Sequence, residues 1–139
     1  MKKETSAGII LYCEKYDERQ FLLLQYPGGH WDFVKGKMEK FEELKETAIR
    51  ETKEETGIVN VEFVDGFNEE ISYTFFINKK EINKKVIFYL GKTKSTEIVI
   101  SHEHLDFVWL NFEDAIERTT YRNAKTILTK ANNLLQDRI

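Results

Sequence analysis

Residues 36–58, GKMEKFEELKETAIRETKEETGI, constrain the fold of this chain more than any other part of the sequence. Residues 42–56 contain neither Gly nor Pro and consist mostly of good helix formers, which predicts a helix. Gly57 follows as a C-terminal cap, because glycine adopts a positive φ without strain. The sequence therefore predicts a helix with a defined end.

Three carboxylates converge on this predicted helix. Positions three and four residues apart share a helix face, so Glu51, Glu54 and Glu55 fall within an arc of roughly 100°. Leu44 and Ala48 lie on the side of the wheel that packs inward, and the acidic arc overlaps it. Crowded, partly buried carboxylates are poorly hydrated, which indicates a bound cation. Oxygen ligands suit Mg²⁺ first and Mn²⁺ as a substitute, and such ions commonly bridge proteins to phosphates.

The spacing of these residues resembles the signature of the Nudix hydrolases. That signature is a Gly, five residues, a Glu, seven residues, Arg-Glu, an aliphatic residue, any residue, Glu-Glu, any residue, Gly and an aliphatic residue. The corresponding positions here are Gly36, Glu42, Arg50, Glu51, Thr52, Glu54, Glu55, Gly57 and Ile58. Thr52 departs from the aliphatic pattern, although its methyl group can still pack. A surface helix that is rich in Glu by chance is a weak alternative.

Composition and charge exclude several classes of protein. The 139 residues, with 41% hydrophobic and 32% charged side chains, predict one soluble globular domain over residues 1–139. No apolar run approaches a membrane span, and the first residues lack a signal-peptide core. The single cysteine, Cys13, lies in an apolar run, which predicts a buried thiol in a cytoplasmic protein. The net charge of −3 gives no general attraction for nucleic acid or membranes, so an anionic substrate must be held by local Lys residues and a metal ion. The family resemblance implies that this substrate is a small molecule. A monomer is expected, with a dimer as the alternative.

The remaining sequence alternates predicted strands and helices. Strands are predicted at residues 5–14, 20–25, 59–67, 69–76, 84–93 and 105–110, with a short extended piece at 31–34. Residues 15–19 are predicted to form a turn, and residues 77–83 a polar connection. Helices are predicted from Asn111 through Arg118 and from Arg122 to Leu135. Strands flanking a helix suggest a mixed sheet sandwiched by helices, and the Nudix resemblance implies this α/β/α fold.

Outside the signature, the chain resembles the asymmetric bis(5′-nucleosyl)-tetraphosphatases, which are diadenosine tetraphosphate hydrolases. The matching pieces are FLLLQ at 21–25, HWDFVKG at 30–36, ISY at 71–73, KKVIFYL at 84–90, SHEH at 101–104 and VWL at 108–110. Two positions depart from that family. Val34 replaces a proline and Phe41 replaces a glycine, and both changes alter the stiffness of the loop beside the predicted metal site.

This resemblance implies hydrolysis of diadenosine tetraphosphate to ATP and AMP by a metal-activated water. The implied metal-site residues are Glu51, Glu54, Glu55, Glu103 and Gly36. Among them, Glu51, Glu54 and Glu103 are the implied catalytic acids, together with Arg50. Glu103 acts either as a ligand or as the general base, and without the resemblance it would be an ordinary loop acid. Arg50 can pair with the acids and hold them apart, which is a structural contribution.

The resemblance also implies the substrate contacts. Tyr73 and Tyr121 match aromatic residues that sandwich the adenine; otherwise they would be a strand residue and a helix-start residue. Residues predicted to contact phosphate are His30, Lys35, Lys84, His102 and His104. For Lys35, a solvated loop lysine is nearly as good an interpretation. A zinc site is disfavoured because the histidines lack neighbouring Cys ligands.

Two other functions remain open at this point. Another Nudix substrate, such as a 5′-triphosphate RNA end or ADP-ribose, would leave the signature intact. An RNA substrate would benefit from a basic groove, and 21 Lys and Arg against 24 acids indicate none. A Nudix sensor without turnover would be marked by a lost metal carboxylate, whereas all the signature acids are present.

Overall fold

The chain forms a mixed β-sheet with helices on both faces, seen in a computed structural model that describes residues 2–138. Within this range the strands are β1 (Lys2–Lys15), β2 (Glu18–Gln25), β3 (Trp31–Asp32), β4 (Val34–Lys37), β5 (Glu62–Phe63), β6 (Glu69–Ile77), β7 (Lys80–Lys92) and β8 (Asp106–Leu110). The helices of the same range are α1 (Leu44–Thr56), α2 (Phe112–Arg118) and α3 (Arg122–Gln136). This arrangement confirms the predicted α/β/α fold.

Strand β1 is the centre of the sheet. It pairs antiparallel with β2 and β4 and parallel with β7. The hydrogen-bonded order is β3-β2-β1-β7-β5, while β6 pairs with β7 and β8 pairs with β2. Because β4 is hydrogen-bonded to β1, the residues that lead into α1 are attached to the central, buried strand of the sheet.

Alternation along the central strands builds two separate cores. Ile10 and Tyr12 belong to the core beneath α2 and α3, whereas Ile9 and Leu11 belong to the core beneath α1. The same division recurs along β2 and β7, because successive side chains of a strand point to opposite faces. The apolar runs of the sequence are therefore strands buried on both faces.

Helix α1 begins two residues later than predicted. Glu43 is its N-cap, and the Glu43 backbone N–H donates to Glu46 Oε1 at 2.9 Å, which satisfies a helix-end donor. Gly57 has φ of 81° and its N–H donates to the Lys53 carbonyl at 2.9 Å, confirming the predicted cap. Thr52 is fully buried, and its hydroxyl donates to the Ala48 carbonyl at 2.7 Å, so a threonine fits the aliphatic position.

Two predictions about the strands were wrong. Residues 77–83 are not a connection: Asn78 and Lys79 form a two-residue turn with φ of 51° and 67°, and strand pairing resumes at once. These mostly polar residues form the end of a hairpin that is exposed to solvent, except for buried Ile82 and half-buried Asn83. Residues 59–67 form only the short strand β5, because Gly66 has φ of 88° and the chain turns before Phe67 enters the core.

Phe41 lies in the loop between β4 and α1 with φ of 66°, and its side chain is 94% exposed. A side chain in the left-handed region clashes with the neighbouring carbonyl, and glycine avoids this cost. We expect Phe41→Gly to raise the free energy of unfolding by about 1 kcal/mol, measured by urea denaturation. Phe41→Ala is the control, since it removes the ring but keeps the Cβ. An equal gain in both variants would mean that ring exposure, and not backbone strain, sets the cost.

Cys13 is buried in β1, and burial raises the pKa of its thiol. This confirms the predicted buried thiol. None of the helices within residues 2–138 has both the length and the apolar character needed to cross a membrane.

Candidate active site

Arg50 is the centre of the acidic surface of α1. Its Nε lies 2.7 Å from Glu42 Oε2, and its Nη1 lies 2.6 Å from Glu51 Oε1 and 3.3 Å from Glu54 Oε2. Its Nη2 also donates to the Lys37 carbonyl at 2.9 Å, which ties α1 to β4. Hydrogen bonds from Arg50 and then Thr47 lower the pKa of Glu42 to about 2. Arg50 therefore pairs with the acids and separates them.

Gly36 allows Glu51 to reach the sheet. A Cβ on Gly36 would lie 1.9 Å from Cδ and Oε2 of Glu51, so any other residue would collide with the carboxylate. The side chain of Glu51 therefore packs directly against the backbone of β4. Burial raises the pKa of Glu51, and the hydrogen bond from Arg50 acts in the opposite direction.

Glu55 is the most buried of the three clustered acids, with 4% of its surface exposed. Burial first, and then the charge of Glu51, raise its pKa to about 9. His104 Nε2 lies 3.0 Å from Glu55 Oε1, but the contact lacks hydrogen-bond geometry. Burial also lowers the pKa of His104. Within residues 2–138, Glu55 Oε2 has no hydrogen-bond partner.

The segment SHEH reaches α1 through the backbone. The Val99 N–H donates to the Thr56 carbonyl at 2.9 Å, and the Ser101 N–H donates to the Glu55 carbonyl at 3.3 Å. Ser101 Oγ also lies 3.1 Å from His104 Nδ1. These bonds bring a loop from beyond β7 to the last turn of the acidic helix.

An acidic pocket of about 560 Å³ lies where these elements meet. The predicted site residues in its wall are Lys35, Gly36, Glu51, Glu55, His102, Glu103 and His104. Arg50 and Glu54 are outside this wall, and the side chain of Glu54 is 57% exposed and held by Arg50. The structure thus brings together most, but not all, of the predicted metal-site residues.

An aromatic pocket of about 460 Å³ lies on the side of the sheet that faces α3. Tyr73 from β6, Tyr121 from the start of α3, and His30 line it together with apolar side chains such as Phe88. Lys84 is directly across from Tyr73 in the β6–β7 pair, although Lys84 is not among the residues that line this pocket. Each of the predicted adenine-contacting residues is therefore at one site.

Tyr26 and Asp32 are site residues that the sequence analysis missed. Tyr26 lines the acidic pocket and stacks on His30 with ring centroids 5.0 Å apart. Asp32 lines the aromatic pocket, and its Oδ2 lies 2.9 Å from Lys35 Nζ. The three-residue spacing of Asp32 and Lys35 was the available signal for that pair, whereas nothing in the sequence marks Tyr26.

The side chains that line the acidic pocket are chemically suited to bind a divalent cation. No three His, Cys, Asp or Glu side chains among residues 2–138 are gathered closely enough to hold a metal as they stand. The unpaired, buried Oε2 of Glu55 beside Glu51 is nevertheless the kind of oxygen that a hard cation satisfies. Arg50 meanwhile occupies oxygens of Glu51 and Glu54.

Comparisons with known proteins agree with this geometry. The chain is 35% identical over 133 residues to the asymmetrical bis(5′-nucleosyl)-tetraphosphatase of Caenorhabditis elegans, covering 94% of this chain and 95% of that protein. The enzyme of the same name from Mus musculus is 35% identical over 122 residues, covering 84% and 80%. The crystal structure of a C. elegans Ap4A hydrolase binary complex superposes with a TM-score of 0.81 at 30% identity, covering 96% and 98%. Since the NUDIX domain family also matches residues 2–130, the chain belongs to the Nudix family of hydrolases.

Proposed function

We propose that this Nudix hydrolase cleaves dinucleoside polyphosphates, converting diadenosine tetraphosphate to ATP and AMP. The observation that carries the proposal is that Lys35 lies in the walls of both pockets. A substrate with a base in the aromatic pocket can therefore extend its phosphates into the acidic one. The names of the relatives support the same substrate class.

Nudix hydrolases depend on divalent cations, and we propose Mg²⁺ here, with Mn²⁺ as a substitute. Glu51 and Glu55 would hold the ion, with Glu54, Glu103 and Gly36 completing the predicted set. When bound, it would polarise phosphoryl oxygens and lower the pKa of a water molecule. Glu103 projects from the loop that Glu55 anchors, where it can serve as a ligand or as the general base. Lys35 offers an ammonium group to the phosphates.

The other parts of the proposal concern the state of the protein. We propose a single-domain monomer that acts in the cytoplasm on a small molecule, without a stable nucleic-acid partner. The buried, unpaired Cys13 supports a reducing compartment. The two cores share strands β1, β2 and β7, and one of them extends to α3, which supports a single folding unit.

Product analysis tests the proposed reaction. The purified protein is incubated with Mg²⁺ and diadenosine tetraphosphate, diadenosine triphosphate, ADP-ribose or a 5′-triphosphate RNA. We expect ATP and AMP in equal amounts from the first substrate, and no products after EDTA is added. Cleavage of only RNA ends or ADP-ribose would reject the proposed substrate.

The aromatic pocket makes a prediction about substrate binding. Tyr73→Ala and Tyr121→Ala should each raise KM by about tenfold and lower kcat less, because base stacking contributes about 1–3 kcal/mol. Steady-state kinetics with diadenosine tetraphosphate measure both constants. Tyr16→Ala is the control, because Tyr16 is 90% exposed in the β1–β2 turn and lies outside both pockets. An unchanged KM in both pocket variants would show that the base binds elsewhere.

A further inference from the structure

The side chain of Lys35 is fixed in position, unlike that of a solvent-exposed lysine. It is on β4 between the two pockets, and its side chain is only 19% exposed. A lysine side chain has four flexible carbon atoms, and fixing it costs conformational entropy. Some contact must therefore stabilise its position at this junction.

The contact is made by Asp32. Its Oδ2 lies 2.9 Å from Lys35 Nζ, while its Oδ1 accepts the Phe33 backbone N–H at 2.7 Å. The Asp32 side chain is only 6% exposed, so the carboxylate is itself fixed. Beside it, the hydroxyl of Tyr26 donates to the Phe33 carbonyl at 2.6 Å, and the Tyr26 ring centroid lies 5.7 Å from Lys35 Nζ. Lys35 is thus fixed from two sides.

The Asp32 carboxylate also interacts with a second lysine, Lys84. Burial lowers the pKa of Lys84, and the charges of Lys35 and Lys37 lower it further, whereas Glu4 and Asp32 act in the opposite direction. The ammonium groups of Lys35 and Lys84 therefore repel each other. Asp32 offsets this repulsion and leaves two N–H donors of the Lys35 ammonium free for another acceptor.

We propose that Asp32 is a positioning residue that holds the Lys35 ammonium at the junction of the two pockets, where it meets the phosphate next to the bound base. The proposal rests on the proposed function, because it requires a nucleotide with its base in the aromatic pocket. Asp32 does not touch the reacting atoms. It acts through Lys35 alone, so its removal should matter only while Lys35 is present.

A double-mutant cycle with Asp32→Asn, Lys35→Gln and the double variant tests this dependence. Binding of a fluorescent ATP analogue, and its displacement by ATP and by adenosine, is measured in EDTA, which requires no turnover. Steady-state kcat and KM for diadenosine tetraphosphate are measured with Mg²⁺. Glu14→Gln is the matched control, since it removes one carboxylate from the Lys92–Glu14 ion pair (3.7 Å) outside both pockets.

Each single variant should weaken ATP binding by about tenfold, as expected for one charge-assisted contact, and leave displacement by adenosine within about twofold of wild type. The double variant should bind ATP as Lys35→Gln does, because the two losses share one cause. KM for diadenosine tetraphosphate should rise in both single variants, and in the double variant it should rise no further than in Lys35→Gln. Glu14→Gln should have the KM of the wild type. If Asp32→Asn fails to fold because Lys35 is left unpaired, the double variant can still be measured, since removing both charges leaves no buried charge unpaired.

Other outcomes separate the two proposals. If the wild type does not hydrolyse diadenosine tetraphosphate but the ATP cycle behaves as expected, the proposed substrate fails and the role of Asp32 stands. Multiplicative losses in the double variant would overturn that role, as would a parallel loss of adenosine and ATP binding in Asp32→Asn. Failure of the wild type to bind ATP would overturn it as well.

Discussion

Glu55→Gln is expected to lower kcat/KM by roughly 10³-fold while the fold stays intact. Glu55 is the buried acid of the acidic pocket, and Oε2 lacks a hydrogen-bond partner within residues 2–138, so a cation that displaces its proton can pair with the carboxylate. Glutamine keeps the size of the side chain but cannot supply that charge. Mg²⁺ should therefore raise the Tm of the wild type and have a smaller effect on the variant. Kinetics with diadenosine tetraphosphate and thermal unfolding with and without Mg²⁺ measure both effects.

The same variant should alter the pH dependence of stability in EDTA. The pKa of Glu55 is about 9 in the folded protein, above the ordinary value of 4.5. Between these values the folded state binds the extra proton, so the free energy of unfolding of the wild type falls as pH rises. Glu55→Gln should lessen this fall, whereas exposed Glu97→Gln should leave it unchanged. Near-normal turnover in Glu55→Gln would reject the assignment of the metal site.

Arg50→Met is expected to lower both stability and activity. The side chain of Arg50 is 22% exposed, and it pairs with partly buried Glu42 and Glu51. Removing one partner of a buried ion pair leaves the other charge uncompensated, so we expect a loss of about 3 kcal/mol of unfolding free energy. Without Arg50 the acids should lose their fixed positions, and kcat/KM should fall by about 10²-fold. Urea denaturation and steady-state kinetics measure the two losses.

Lys53→Met is the control for that prediction. Lys53 is an exposed cation on the same helix, and its removal changes the net charge of α1 equally. We expect it to change the free energy of unfolding by less than about 0.5 kcal/mol. Equal losses in the two variants would mean that the total charge of the helix, and not the contacts of Arg50, stabilises the site.

Local rules accounted for much of the architecture. The helix-forming composition of residues 42–56 and the cap at Gly57 placed α1 to within two residues. The apolar runs at residues 5–14 and 20–25 placed β1 and β2, because strand residues alternate between two buried faces. Helix α3 was placed to within one residue by its apolar periodicity. Each of these features depends on neighbours within a few residues.

The β6–β7 hairpin shows where such rules end. Asn78 and Lys79 turn the chain without a glycine, and the residues beyond them are polar because the hairpin is exposed. Residues 59–67 show the opposite error. Val64 and Phe67 are apolar because they pack against the core as loop residues, and not because they lie in a strand.

From the sequence by itself follow the family signature, the acids that α1 carries and the residue types suited to phosphate chemistry. Only the tertiary structure decided how those acids differ, because burial and pairing depend on segments distant along the chain. Glu55 is buried against His104, Glu54 is exposed, and Glu51 fits only because Gly36 on β4 lacks a Cβ. The Lys35 ammonium donates to Asp32, only three residues away, because β3 ends and β4 begins between them. The spacing of residues along the sequence determines which side chains share a helix face. Tertiary packing determines the pKa, the exposure and the partners of those side chains.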